Sequence, residues 1–426
     1  MKKFYLLPLF AIASCLSEKN IDPGTPQTFV KYYNGGYNDE ANDIKQTADG
    51  GFILLATTEA RATDVSAQRF KIKLVKTDEF GNMQWSRVYP DYDLSFDPLT
   101  DDDGEPNDSI SFKGSSIEII KDGAGLETGY VVVGDSLIRN ATAQSHLRIM
   151  LTDLEGNITR ARNIKPSLPI TGSNFAVAGS AVTINASGNF VVLGSAVFEQ
   201  TTKNMFLAEL DANLAVQWQR TYGAGTAQLA NRLFIDAQSF IYWSGTVSKN
   251  NQPAEIRFLS VPPDSENTKF DLGLGSPASA ETGRDICQYG FGYAVVGTTN
   301  ESGDQDILFK RLNEEGIELS SDRYGFPAQS ENGFSISQTR DGGLILLGSV
   351  DSNVNFGRGG KDYYLIKVSA FGGPPEWERI FGSKNDDLGS KVLSLSDGSY
   401  ILYGTTVWGG LRTLSLIKTD KLGNIE

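Results

Sequence analysis

The sequence predicts an all-β chain that folds as one seven-bladed β-propeller with four-stranded blades. Two observations carry this prediction. A strand-like motif recurs seven times at a nearly regular spacing, and we find no segment with the 3.6-residue apolar period of an amphipathic helix. A repeat of roughly 50 residues that supplies four strands is typical of propeller blades, because such a sheet buries its faces only against neighbouring blades.

The first element of each repeat is a polar stretch, a turn and an apolar run that ends in a small residue. The clearest copies are TADGGFILLATT from Thr47 and QTRDGGLILLGS from Gln338. Short apolar runs bounded by Gly, Asp and Asn predict strands joined by tight hairpins. The small residue marks seven copies, most of them 51 to 60 residues apart: Ala56, Gly134, Gly194, Gly245, Gly297, Gly348 and Gly404.

The second element follows the first after a variable loop, as in LVKTDEFGNMQW from Leu74 and LIKTDKLGNIE from Leu416. Its Asp suits a hairpin that needs a side-chain acceptor for backbone N–H groups. The fourth repeat has lost this element almost entirely, and Pro262 and Pro263 interrupt the expected strand pattern there. The count of seven blades therefore depends most on the fourth repeat.

The ring is predicted to close through its N-terminal strand. Three outer strands begin with a tryptophan, namely Trp85, Trp218 and Trp377, and its recurrence favours packing between blades over ligand stacking. The sequence ends at Glu426, one residue before the tryptophan position of the seventh repeat, whereas Phe29, Lys31 and Tyr33 reproduce the missing strand's spacing. We therefore expect one domain over residues 28–426, without an open sheet edge between the last blade and the first.

The N-terminus has the pattern of an export signal. Lys2 and Lys3 precede a short apolar stretch, which ends in Ile12, Ala13, Ser14 and Cys15. This ending resembles the lipobox of bacterial lipoproteins. The resemblance implies a signal peptide over residues 1–14, acylation of Cys15 by chains such as palmitate, and a flexible tether over residues 15–27. It places the protein in the cell envelope, at the outer membrane, on the periplasmic or the exposed side; ordinary secretion is the alternative.

The blades themselves resemble those of secreted and lipid-anchored bacterial propeller proteins, which carry Asp-Gly-Gly before an apolar strand, then Lys-x-Asp-x-x-Gly-Asn and Trp. The Asp-x-x-Gly and Trp portion also looks like the repeats of quinoprotein-type propellers, including outer-membrane-assembly lipoproteins. The resemblance covers nearly the whole chain after the tether. It implies architecture only, since one fold hosts many functions.

Composition narrows the range of partners. The chain has 52 acidic against 38 basic side chains, which argues against nucleic acid as a partner and leaves cations, glycans and proteins.

The only histidine, His146, aligns with Asp306 and Asp362 at the start of a third strand, and no nucleophile motif accompanies it. We expect no catalytic role for His146. Cys287 is predicted to be buried and inert, and the protein to be a monomer.

Function is expected at the loop face, the end of the ring where the connections between blades emerge. Acidic side chains cluster in the sequence of its loops, and Trp408 lies beside Gly409 and Gly410. Clustered carboxylates can bind Ca²⁺, and acids with an aromatic ring suit a glycan; a solvated acidic surface is the alternative. The candidate ligand-binding residues are Asp39, Asp43, Asp101, Asp103, Asp108, Asp386, Asp387 and Trp408.

The leading hypothesis is a non-enzymatic cell-envelope binding module that presents its loop face to a protein or a glycan. No resident cofactor is predicted, although Ca²⁺ is possible at the acidic loops. Two alternatives remain open. One is a scaffold of an outer-membrane assembly complex, and the other is a polysaccharide-active enzyme that uses paired carboxylates.

Overall fold

The chain forms seven four-stranded antiparallel blades arranged as a β-propeller. The computed structural model describes residues 28–60, 69–89, 110–138, 144–164, 176–198, 202–223, 227–248, 252–262, 267–290, 292–352 and 359–425. None of these ranges contains a helix that could cross a lipid bilayer. In chain order the strands are β1 (Phe29–Tyr33), β2 (Asp39–Gln46), β3 (Phe52–Ala60), β4 (Arg69–Thr77), β5 (Met83–Val88), β6 (Ile110–Lys121), β7 (Glu127–Ile138), β8 (Gln144–Thr152), β9 (Ile158–Ile164), β10 (Ala176–Ile184), β11 (Phe190–Phe198), β12 (Thr202–Leu210), β13 (Val216–Tyr222), β14 (Ala227–Ile235), β15 (Ile241–Ser248), β16 (Glu255–Val261), β17 (Phe270–Leu274), β18 (Glu281–Tyr289), β19 (Gly292–Thr299), β20 (Asp306–Leu312), β21 (Glu318–Tyr324), β22 (Glu331–Gln338), β23 (Leu344–Ser352), β24 (Gly360–Val368), β25 (Trp377–Phe381), β26 (Asp387–Ser394), β27 (Tyr400–Trp408) and β28 (Leu411–Thr419).

Blades 1 to 6 are consecutive groups of four strands that begin with β2, and blade 7 contains β26, β27, β28 and β1. The first strand of each blade is the inner strand, and adjacent inner strands contact one another around the ring. Buried apolar clusters lie between neighbouring blades; one joins Leu55 and Leu74 of blade 1 to Ile117 and Val132 of blade 2. Because the second and third strands bury both faces, they read as continuous apolar runs.

The recurring small residue has a steric cause. A Cβ added to Gly134 or Gly297 would overlap the backbone carbonyl of the adjacent inner strand, at Lys113 and Thr282 respectively. The second strand therefore tolerates only a very small residue where it crosses the inner strand. The seven-fold recurrence of this position is a packing requirement of the blade.

The closing strand confirms the prediction made from Phe29, Lys31 and Tyr33. β1 pairs antiparallel with β28, from Phe29 opposite Lys418 to Tyr33 opposite Leu414. The Tyr33 hydroxyl donates a 2.8 Å hydrogen bond to the carbonyl of Gly81 in blade 1. The N-terminal strand therefore completes blade 7 and also fixes it to blade 1.

The fourth blade is more complete than the sequence indicates. The prediction that its second element is almost entirely lost is wrong, since β16 and β17 pair in register from Ile256–Leu274 to Ser260–Phe270. The alternating burial of Ile256 and Phe258 is enough to hold the strands. Pro262 follows the last residue of β16, where its missing N–H removes no ladder hydrogen bond. The sequence between these two strands lacks an Asp-x-x-Gly turn.

Packing between blades explains the recurrent tryptophans. The Trp85 ring lies against the hairpin of the next blade, where a Cβ on Gly156 would come within 2.8 Å of it. Trp377 has the corresponding position over Gly423. These two residues confirm the structural role that recurrence predicted.

Candidate functional site

Every inner strand has a register shift at the same place, next to a small residue. A β-bulge leaves one residue outside the ladder and redirects its side chain. All seven bulge residues line one cavity of about 530 Å³ on the propeller axis, one from each blade: Asn42, Ser115, Ser180, Asn231, Arg284, Phe334 and Ser390. We call this cavity the channel mouth. It lies toward the loop face, because its lining includes Glu40 and Leu388, the second residues of the inner strands β2 and β26.

Charged side chains form the floor of the channel mouth. They come from the position that follows the bulge residue and make two ion pairs across the axis. Arg232 lies 2.9 Å from an oxygen of Asp43, and the Lys391 ammonium lies 2.5 Å from an oxygen of Asp285. Both carboxylates are buried, which makes these ion pairs costly to break. The floor is therefore a fixed, charge-balanced layer.

Two serines complete the floor in a repeated arrangement. The Ser116 hydroxyl donates to Asp43 at 3.0 Å, and the Ser335 hydroxyl donates to Asp285 at 2.9 Å. In each case the serine comes from the next blade along the chain, and the backbone amide of the residue after it, Ile117 or Ile336, donates a second hydrogen bond to the same carboxylate. The carboxylates thus join neighbouring inner strands as well as balancing the cations.

The pKa values of the floor residues follow from this arrangement. Burial alone would raise the pKa of Asp43, but the cations Arg232, Lys391 and Lys45 outweigh it and hold the pKa at about 2. For Lys391, burial lowers the pKa and the carboxylate of Asp285 opposes that effect. At neutral pH, Asp43 is ionised within a layer of alternating charge.

The wall above the floor has an uneven charge. Arg412 and Glu40 form a loose pair 3.9 Å apart on the side of blades 7 and 1. Asp135 accepts a 2.7 Å hydrogen bond from the Gly179 amide, and burial raises the pKa of its carboxyl to about 6. On the side of blade 5, Arg284 is exposed to the cavity and makes no ion pair or hydrogen bond with any described residue.

The structure places two predicted acids, Asp39 and Asp43, in β2 and not in an exposed turn. Asp39 is fully buried, and one of its oxygens lies 2.5 Å from the Lys73 ammonium. Asp43 belongs to the floor described above. Neither carboxylate projects from the loop face, because Lys73 of the same blade holds Asp39 inside and Arg232 of blade 4 holds Asp43.

The acids of blade 7 are also tied to backbone groups. Asp387 begins β26, is buried, and accepts hydrogen bonds from the Ser383 amide at 2.7 Å and hydroxyl at 2.9 Å. Asp386 accepts a 3.1 Å hydrogen bond from the amide of Lys361 in blade 6. Asp387 was expected to project from the loop face, and this expectation is wrong, because its carboxylate caps the loop that enters β26.

Of the predicted residues that the structure describes, Trp408 is exposed, as is Asp386. It ends β27 with 59% of its surface accessible, and its ring stacks on Tyr32 with centroids 5.4 Å apart. Trp408 does not line the channel mouth. The remaining predicted residues lie outside the described ranges: Cys15, Asp101, Asp103 and Asp108.

His146 has the position that the sequence alignment gave it. It pairs with Ser136 in the ladder between β7 and β8, just as Asp306 pairs with Thr299 in blade 5. The side chain is buried, with 1% of its surface exposed.

Burial raises the pKa of the Cys287 thiol to about 12, so this cysteine is protonated at neutral pH. Among the described residues no three acidic, histidine or cysteine side chains form a metal-binding group.

Comparisons with known proteins identify the fold alone. No protein-family model and no curated protein matches the chain. Among solved structures, a Dyadobacter fermentans protein described as of unknown function is 9% identical, with a TM-score of 0.51 over 93% of this chain and 98% of its own. The polysaccharide lyase Uly1 is also 9% identical, with a TM-score of 0.50 over 97% and 96%. Puromycin hydrolase is 10% identical, with a TM-score of 0.50 over 86% of this chain but 50% of its own.

Proposed function

We propose that this protein is a non-enzymatic binding module whose ligand site is the channel mouth. One observation carries the proposal: the seven structurally equivalent bulge positions carry four kinds of side chain, Asn, Ser, Arg and Phe, and all of them line one cavity. Recurrent positions serve packing, so variation at a convergent position is the expected sign of a binding site. A volume of about 530 Å³ is within the range of small-ligand sites.

The chemistry of the lining favours a polar ligand of the size of a sugar. Five of the seven bulge residues offer hydroxyl or amide groups, which can donate and accept hydrogen bonds. Phe334 adds one apolar surface, on which the face of a sugar ring can stack. The inner strands pair with the second strands on both sides of each bulge, so the backbone that carries the lining groups is held in place before the ligand binds.

A ligand screen tests this proposal. The chain from Leu16 onward is titrated with mono- and oligosaccharides while its melting temperature and binding heats are recorded. We expect saturable binding that Asn231→Leu and Ser180→Leu weaken, whereas Ser187→Leu, on an exposed hairpin at the other end of blade 3, leaves it unchanged. Binding that is insensitive to both cavity variants would contradict the proposed site.

A polysaccharide-active enzyme is the second candidate, because Asp135 lines the same cavity. A carboxyl with a pKa near 6 is suited to general acid catalysis, and Glu40 is a second carboxylate in the lining. Reducing-end assays on oligosaccharides that bind distinguish the two candidates. Turnover that Asp135→Asn abolishes while binding persists would replace the binding-module proposal with this one.

We also propose that the protein is held in the cell envelope by lipid on Cys15. The basis is the lipobox-like sequence before Cys15, and the partners implied are a membrane and a soluble ligand at the loop face. Metabolic labelling with palmitate tests this. We expect label in the wild-type chain and none in Cys15→Ala, with the variant released from the membrane fraction; equal labelling of both would contradict the anchor.

A further inference from the structure

Arg284 differs from the other cations that line or underlie the channel mouth. Arg232 and Lys391 are paired with buried carboxylates, and Arg412 lies near Glu40. Arg284 has no ion pair or hydrogen bond within the described part of the chain, although it is exposed to the same cavity. Its guanidinium therefore keeps all five N–H donors available to a ligand.

The net charge of the chain makes an unpaired guanidinium at this position more informative. The chain as a whole carries an excess of acid, with a net charge of −14. Planar bidentate donors suit the carboxylate group closely. On the side of blade 5 the cavity therefore presents a guanidinium that no described carboxylate pairs with.

Phe334 indicates what is attached to that anionic group. It is the bulge residue of blade 6, next to Arg284 in the order of blades, and its ring is partly exposed in the cavity. The remaining bulge residues present hydroxyl and amide groups from the other blades: Asn42, Ser115, Ser180, Asn231 and Ser390. A ligand that satisfies all three features has a carboxylate, one apolar face and several hydroxyls.

We propose that the channel mouth binds a carboxylate-bearing sugar, such as a uronic acid, with its carboxylate on Arg284 and its ring against Phe334. This inference rests on the proposed function and specifies its ligand. A monoanion fits better than a phosphate ester, because one unpaired guanidinium balances one negative charge. A second charge would face the acidic side chains of Glu40 and Asp135 across the cavity.

Matched sugars test the carboxylate. Binding of glucuronate, glucose, a glucuronate-terminated oligosaccharide and inorganic phosphate is measured by calorimetry at low salt. We expect glucuronate to bind about tenfold or more tightly than glucose, in line with a charge-assisted hydrogen bond pair. The oligosaccharide arm distinguishes a free sugar from the end of a polysaccharide: tighter binding of the oligosaccharide indicates the polymer as the source.

Variants separate the contribution of Arg284 from that of the fold. Arg284→Gln should weaken glucuronate binding about tenfold and leave glucose binding unchanged. Phe334→Leu should weaken both sugars equally. Arg340→Gln, which alters an exposed arginine on a hairpin turn outside the cavity, is the matched control and should change neither. Unchanged melting temperatures for Arg284→Gln show that the variant is folded, because the side chain has no partner in the described structure to lose.

Three outcomes would overturn the inference, and they are distinguishable. Equal binding of glucose and glucuronate, with no effect of Arg284→Gln, removes the carboxylate but leaves the proposed binding site intact. Tighter binding of phosphate than of glucuronate replaces the sugar acid with a phosphorylated ligand at the same residue. Failure of every sugar and anion to bind the wild-type protein removes the proposed function together with its ligand.

Discussion

Glu331 makes the stability of the propeller depend on pH. It begins β22, is fully buried, and lies with Asp306 beside the backbone of Gly325. Burial, followed by the negative charges of Asp306 and Asp351, raises the pKa of the Glu331 carboxyl from 4.5 to about 7, against an opposing hydrogen bond from a backbone amide. In the folded protein this group therefore binds a proton that it releases in the unfolded chain between pH 4.5 and 7.

The sign and size of the effect follow from linkage. A group with a raised folded-state pKa stabilises the fold fully below its unfolded pKa, and this contribution is lost as the pH rises through the folded pKa. A shift from 4.5 to about 7 corresponds to about 3 kcal/mol. We expect the free energy of unfolding to fall by roughly this amount between pH 5 and pH 8 because of Glu331.

The chain contains its own neutral version of this position. Gln228 of blade 4 lies two residues before the small residue at the bulge of its inner strand, as Glu331 does in blade 6. Glu331→Gln should therefore fold and should remove about 3 kcal/mol of the difference in unfolding free energy between pH 5 and pH 8. Urea unfolding followed by tryptophan fluorescence measures it, with the exposed Glu79→Gln as control. Equal pH slopes in wild type and Glu331→Gln would refute the reasoning.

Two further perturbations test the packing and the floor. Gly156→Ala should lower the free energy of unfolding by about 2 kcal/mol and Gly125→Ala by about 1 kcal/mol. Both glycines have a positive φ, but only at Gly156 does the new methyl group meet Trp85. Equal losses in urea unfolding would contradict this contact. Asp43→Asn should cost about 3–5 kcal/mol, since it leaves the Arg232 charge buried without its partner, and adding Arg232→Met should restore most of that loss. A double variant no more stable than Asp43→Asn would argue against the ion pair.

The repeat architecture could be predicted because packing repeats in the sequence. The small residue of the second strand and the outer tryptophan recur wherever blades touch, as Gly134 and Trp85 illustrate. The closing strand follows from the same spacing, and its register with β28 confirms it. The second element of the fourth blade could not be recognised from its turn, which lacks the Asp-x-x-Gly pattern, although its two strands keep the buried apolar residues of the other blades.

The candidate site could not be predicted in the same way. The sequence predicts that Asp43 faces solvent, but the structure pairs it with Arg232 inside the ring. This partner could not be identified from the sequence, because it lies 189 residues away. The seven bulge residues were overlooked because a bulge interrupts the period of two by which strand faces are read. A signal was present nonetheless: a small residue precedes a variable one in every inner strand, as in Gly283–Arg284 and Gly333–Phe334.

A crystal structure of the protein with its tightest-binding sugar tests the central claim most directly. The account predicts density for the sugar in the channel mouth, with its carboxylate on Arg284 and its ring against Phe334. Density on the exposed stack of Tyr32 and Trp408, with an empty channel mouth, would contradict it and would move the binding site to the outer rim of blade 7.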